Sequence, residues 1–88
     1  MLFRSRERTP PYPEAAKQRE IEGVVLLNVY VGASGHVEEV RFLRRLEPSC
    51  DEVAMRWARE RWRFRPAMAG REPVGMWIPV PVKFEIDR

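Results

Sequence analysis

The sequence predicts an α+β fold, a two-layer sandwich with element order α-β-β-α-β, in which two helices cover one face of a three-stranded antiparallel sheet of order 2-1-3. Three observations carry this. Residues 23–31 (GVVLLNVYV) and 36–43 are two β-rich runs joined by Gly32-Ala33-Ser34-Gly35, a cluster of turn formers. Residues 74–86 alternate apolar and other side chains with strand period over their whole length. Between these runs, from Cys50 onward, the apolar positions fall at helical spacing.

The elements follow in chain order. Residues 1–9, MLFRSRERT, mix charges without period and read as a tail or the end of a linker, so the domain is taken as residues 10–88. Pro10-Pro11-Tyr12-Pro13 is extended. Pro13 suits the first position of a helix over residues 13–22, with Glu14 in its first turn and Gly23 at its exit. The first strand is apolar on both faces: Val25, Leu27, Val29 and Val31 on one, Val24, Leu26 and Tyr30 with Asn28 on the other. That pattern suits a central strand. In the second strand Val40 and Phe42 share a face, and Val37 breaks their parity, which predicts a bulge near Glu38.

Pro48 is read as a stop, and Ser49-Cys50-Asp51-Glu52 as a capping box that starts a helix at Cys50. Val53, Ala54, Trp57, Ala58 and Trp62 form its apolar stripe, opposite Glu52, Arg56, Arg59, Glu60 and Arg63. Pro66 disfavours helical backbone at Arg65 and ends it, and Ala69-Gly70-Arg71 is a turn. In the last strand Val74, Met76, Ile78, Val80, Val82, Phe84 and Ile86 face the core, and Trp77, Pro79, Pro81, Lys83 and Glu85 face the other way. Two prolines two residues apart leave two missing amides on one lateral side, so this strand lies at a sheet edge with that side turned outward. A right-handed crossover through the second helix then sets the order 2-1-3.

Composition narrows the function classes. At 88 residues with 44% hydrophobic side chains the chain is one folded domain, and no apolar run has the roughly 18–20 residues of a membrane helix. One His and one Cys cannot supply a metal cluster of those ligands, and no glycine-rich phosphate loop is present, so no cofactor is expected. His36 beside the turn reads as a surface residue and Cys50 as a small core hydrophobe. Sixteen basic residues stand against thirteen acidic ones, and the arginines at 56, 59, 61, 63 and 65 are interleaved with Glu60 and core-spaced aromatics. They read as a solvated helix face, and nucleic acid is not an expected partner. What remains is a non-enzymatic binding module. Its open sheet face would carry Val24, Leu26, Tyr30, Trp77, Pro79 and Pro81 as an apolar patch, which is either covered by the N-terminal tail or made of scattered surface apolars, or else a surface for a partner or for a homodimer, the latter by way of that face or of exchanged strands.

Six stretches, in this order, resemble the TonB C-terminal domain family: Pro11-Tyr12-Pro13-Glu14-Ala15-Ala16, Glu22-Gly23, Gly35-His36-Val37, Asp51-Glu52-Val53-Ala54, Trp62-Arg63-Phe64-Arg65-Pro66-Ala67 and Val80-Pro81-Val82-Lys83-Phe84. The related TolA C-terminal domain shares the fold and matches the Tyr12-Pro13 and Trp62–Ala67 stretches less well. The resemblance implies a periplasmic domain that couples an inner-membrane ExbB–ExbD proton-driven motor to outer-membrane TonB-dependent transporters. It implies that the edge of the last strand pairs with the transporter's TonB box, a case of β-strand addition. The partner-binding set it suggests is Thr9, Pro10, Pro11 and Tyr12 with Trp77, Pro79, Val80, Pro81, Lys83 and Glu85. Thr9 stands where the best-studied members carry Gln. The family's membrane anchor, through which the ExbB–ExbD contact would run, and its Pro-rich spacer are not among the 88 residues, which therefore read as an excised domain or a free-standing member.

Overall fold

The computed structural model describes residues 9–87, and the predicted tail falls almost wholly outside them. The sheet has the expected order: β2 (Val37–Arg44) and β5 (Met76–Phe84) flank β1 (Gly23–Val31), both antiparallel to it. Helices α1 (Glu14–Gln18) and α2 (Pro48–Arg61) share one face. Two short strands that the sequence reading did not separate, β3 (Ala67–Ala69) and β4 (Glu72–Val74), form a hairpin around Gly70. The last strand therefore begins at Met76 rather than at Val74. The turn at Gly70 is as expected.

The core follows from the alternation. Val25, Leu27, Val29 and Val31 are wholly buried, as are Ala54 and Ala58 of α2. Val80, Val82 and Phe84 close the third side, and Trp62 and Phe64 pack edge to face beneath them with ring centroids 6.2 Å apart. Among the described residues no helix is long and apolar enough to cross a membrane. Cys50 sits in the same core, and burial, with a neighbouring Glu47 carboxylate, pushes its thiol up to about 11, so it stays protonated and inert at neutral pH.

Register places Tyr30 opposite Glu39 and Val31 opposite Val37, leaving Glu38 as the unpaired extra residue. The bulge is where the parity break put it. A second lies at Leu43, between the pairs Leu27–Phe42 and Leu26–Arg44. The first returns Val37 to the core face beside Val31, and the second turns Arg44 to the outer face opposite Leu26.

Both helices differ from expectation at their ends. The first is half the expected length. It closes after Gln18 in a Schellman turn: Ile21 N–H donates to Ala16 O (2.9 Å) and Glu20 N–H to Lys17 O (3.1 Å), with Glu20 at φ +56 where glycine is usual. Glu20 is the residue that the sequence pattern gave no reason to single out. The second starts at Pro48, not Cys50. Proline has no amide to satisfy and a φ suited to the first helical position, so it begins the helix rather than stopping the chain. Glu47 becomes the cap, its carboxylate accepting from Cys50 N–H (3.2 Å) and from the Ser49 hydroxyl. The Ser49–Glu52 box does not form, and Glu52 pairs instead with Arg56 at 3.0 Å. Asp51, buried, accepts from Leu46 N–H (2.7 Å) and Glu47 N–H (3.3 Å), fixing the loop that enters the helix. At its other end α2 stops at Arg61, and Trp62 and Arg63 run extended, Arg63 bridging to His36.

The Ser49 hydroxyl bond holds the Glu47 carboxyl below the usual carboxylate range. Its folded pKa lies under its unfolded one, so it stabilises the fold above the unfolded value and that contribution disappears as pH falls through the folded one. Glu47→Gln is expected to flatten the acid limb of the stability curve below about pH 4.5. Urea melts of the two proteins between acid and neutral pH check this. An unchanged acid limb would contradict it.

Candidate partner-binding edge

In an antiparallel strand each residue's N–H and C=O point to the same lateral side, and the side alternates. Pro79 lies opposite Asn28 and Pro81 opposite Leu26. Neither proline can donate to β1, so the bonds to β1 run through the other parity: Ile78 with Val29, Val80 with Leu27, Val82 with Val25 and Phe84 with Gly23. The outer edge of β5 is then formed by the backbones of Trp77, Pro79, Pro81 and Lys83, and the same parity continues to Glu85. All present carbonyls. Only Trp77, Lys83 and Glu85 present amides. Among the described residues the edge is open along its length, since β5 pairs there with β1 alone.

The site residues separate by this rule. Pro79, Pro81, Lys83 and Glu85 are exposed and Trp77 is half-buried, all five on the outward parity. Val80 does not belong with them: its side chain is in the core at 8% exposure and its amide faces β1, so it has nothing to present to a partner. Lys83 and Glu85 form an exposed ion pair at 3.1 Å. Trp77 lies against Tyr30, ring centroids 5.3 Å apart, and the Arg41 guanidinium sits 5.1 Å from the Trp77 ring, held on its other side by Glu39 at 2.9 Å. This cluster caps one end of the open sheet face. With Val24 and Leu26 also half-buried and Pro79 and Pro81 exposed, the predicted patch has no covering helix among the described residues.

At the opposite end of β5 the entering chain packs beside it. Tyr12 meets Phe84 edge to face at 5.4 Å, and its hydroxyl donates to the Ile21 carbonyl, tying the segment to the Schellman turn. Pro10 is buried, Pro11 and Thr9 are exposed, and Tyr12 is half-buried. Ile86 N–H donates to the Glu22 carboxylate (2.9 Å), drawing the chain that leaves β5 to the start of β1. The structure therefore brings Tyr12 beside the Phe84 end of the edge, while Trp77 marks the other end. Among the described residues no group of His, Cys, Asp and Glu is placed to hold a metal ion.

The family model described as the Gram-negative bacterial TonB protein C-terminal matches residues 8–86. The protein tonB2 of Pseudomonas aeruginosa is 37% identical over 79 residues, covering 89% of this chain and 29% of that protein. The TonB protein of Vibrio cholerae is 27% identical over 78 residues, covering 89% and 32%, and a second P. aeruginosa protein, TonB, is 27% identical over 90% and 23%. The chain spans less than a third of the length of each. With the sheet order, the two helices on one face and a family match that reaches from Thr9 through the whole of β5, the chain belongs to the TonB C-terminal family.

Proposed function

We propose that this chain is the periplasmic receptor-binding domain of a TonB-type energy transducer, passing the work of an inner-membrane ExbB–ExbD motor to outer-membrane TonB-dependent transporters. The observation that carries the reading is the unpaired outer edge of β5, in a chain of this family. A transporter's TonB box would join it as an added strand, main-chain bonds giving affinity and flanking side chains giving choice. The prolines thin the hydrogen bonding. An incoming strand finds acceptors all along the edge, but donors only at Trp77 on one side of the prolines and at Lys83 and Glu85 on the other. Trp77 and Tyr12 at the two ends then weigh more in recognition than on an uninterrupted edge.

The test is a titration of a synthetic TonB-box peptide against isotope-labelled protein, mapped by amide shifts. The expected response lies at Trp77, Lys83 and Glu85. Pro79→Val with Pro81→Val restores two outward donors and should tighten binding, by up to about tenfold for each bond formed at roughly 0.5–1.5 kcal/mol. Shifts confined to the arginine face of α2 would overturn the reading.

A further inference from the structure

The other edge of the sheet is built differently from that of β5. Among the described residues β2 pairs with β1 alone, and it contains no proline. Asn28 and Tyr30 turn their backbones to Arg41 and Glu39, so the backbones of Val40 and Phe42 point outward and offer two amides and two carbonyls. This stretch lies between the bulges at Glu38 and Leu43. Beside it, between β2 and α2, runs a groove of about 780 Å³ whose apolar lining includes Phe42, Leu46 and Met55. Val40 and Phe42 turn their side chains to the helix side of the sheet, so a strand added here would send every second side chain into that groove.

The charges along the groove select what fits. Four carboxylates line it, and three are taken: Asp51 by the Leu46 and Glu47 amides, Glu47 by the Cys50 amide and the Ser49 hydroxyl, and Glu52 by Arg56. The fourth, Glu60, follows Arg56 by one helical turn, which sets it beside that cation. Arg45 and Arg59 are exposed, and among the described residues neither has a carboxylate partner, Arg45 lying instead over the Phe42 ring at 4.1 Å. Arg45 stands just before α2 and Arg59 in its last turn, about 16 Å along the helix from Pro48. The groove is therefore apolar along its middle, with an unmatched guanidinium toward each end.

We infer that this groove binds an extended segment of another protein, laid antiparallel along β2, with two apolar side chains opposite Val40 and Phe42 and an acidic side chain two residues beyond each. Val40 and Phe42 would each exchange both main-chain bonds with the residue opposite, which fixes the register. Residues two apart share a face, so the acidic side chains point into the same groove, and seven residues span about 20 Å, enough to bring them to Arg45 and Arg59. The intervening residues lie on the open face and are polar. This chain nowhere contains two acidic residues flanking two apolar ones at that spacing, so the occupant is not a second copy. The β5 edge stays free on the opposite side of the sheet, and the inference stands apart from the receptor reading.

The test is the heptapeptide Glu-Thr-Val-Thr-Val-Thr-Glu, acetylated and amidated at its ends and titrated to about 1 mM into the isotope-labelled 88-residue chain. Amide shifts are expected at Val40 and Phe42 and not at Trp77, Lys83 or Glu85. Lysine in place of both peptide glutamates should weaken binding at least about tenfold, as should Arg45→Glu with Arg59→Glu in the protein, and the lysine peptide should recover its affinity for that variant. Methylating the two valine amides of the peptide removes two bonds to β2 without touching the protein, and should also weaken binding about tenfold. No shift by about 1 mM, shifts at the β5 edge, or equal affinity for the acidic and the lysine peptide overturns the inference. Shifts at Val40 and Phe42 that follow protein concentration alone give this edge to a second copy and overturn it too. The TonB-box titration reads the other edge, so either reading can fail without the other.

Discussion

Trp62→Ala is expected to remove about 3–5 kcal/mol of stability, the usual cost of deleting a buried large aromatic. Trp62 is 1% exposed, packs against Phe64 and lies in the one cluster that joins β1, β5 and α2. A domain of this size buries a modest fraction of its surface, and total stability near the low end of about 5–15 kcal/mol leaves little after such a loss. The melting temperature should fall by roughly 12 °C or more, at about 4–8 °C for each kcal/mol in a domain of 60–100 residues. Trp57→Ala is the control. The two tryptophans share one apolar stripe in the sequence, but Trp57 is only half-buried and lies against the Arg61 guanidinium at 4.9 Å, so its loss should cost well under half as much. Equal melting temperatures for the two variants would contradict this placement of the core.

Gly35→Val should be nearly as damaging, for a backbone reason. Gly35 has φ +89, a conformation that a β-branched residue adopts only under strain. A Cβ there would overlap the Phe64 carbonyl oxygen, a main-chain atom that cannot swing aside. The same glycine accepts from Phe64 N–H at 3.0 Å, so the contact that draws the 62–64 segment onto the β1–β2 turn is the one the substitution would break. About 3 kcal/mol or more is expected, summing strain and collision. Gly70→Val shares the positive φ, at +64, but meets nothing within 4 Å, and should cost about 1–2 kcal/mol. Chemical denaturation of both variants measures the difference. If Gly70→Val proves the more costly, close packing at Gly35 is not what matters there.

These two sites mark how far the sequence could be read. The sheet order and the inner and outer faces were legible because period-two alternation, a glycine turn and paired prolines act through short-range sterics that tertiary contacts reinforce. The bulge at Glu38 was legible for the same reason: a parity break has one local remedy. The candidate edge followed from Pro79 and Pro81 alone. What escaped depended on competition between neighbours. Ser49 is a good cap in isolation, but Pro48 fits the first helical position so well that Glu47 takes the cap, and the Glu47-Pro48 pair was the available signal. Glu20 in a left-handed turn has no sequence signature, because Tyr12 and Ile21 hold the turn from outside. Val80 enters the edge set only through the family resemblance: the alternation already puts its side chain on the core face, and parity turns its backbone inward as well. The β3–β4 hairpin escaped because three-residue strands are too short to show a period.

That hairpin has a practical consequence for anyone who modifies the molecule. Its tip, Gly70-Arg71, is exposed, and among the described residues β3 and β4 pair only with each other. Foreign sequence spliced between these two residues would lengthen a loop that closes on solvent. Each doubling of such a loop adds only about 0.6 kcal/mol. A fluorophore acceptor or an affinity tag placed there sits outside the core and outside the three-stranded sheet that carries the β5 edge. The tip is therefore the position from which this domain can be observed or immobilised while its binding surfaces stay as they are.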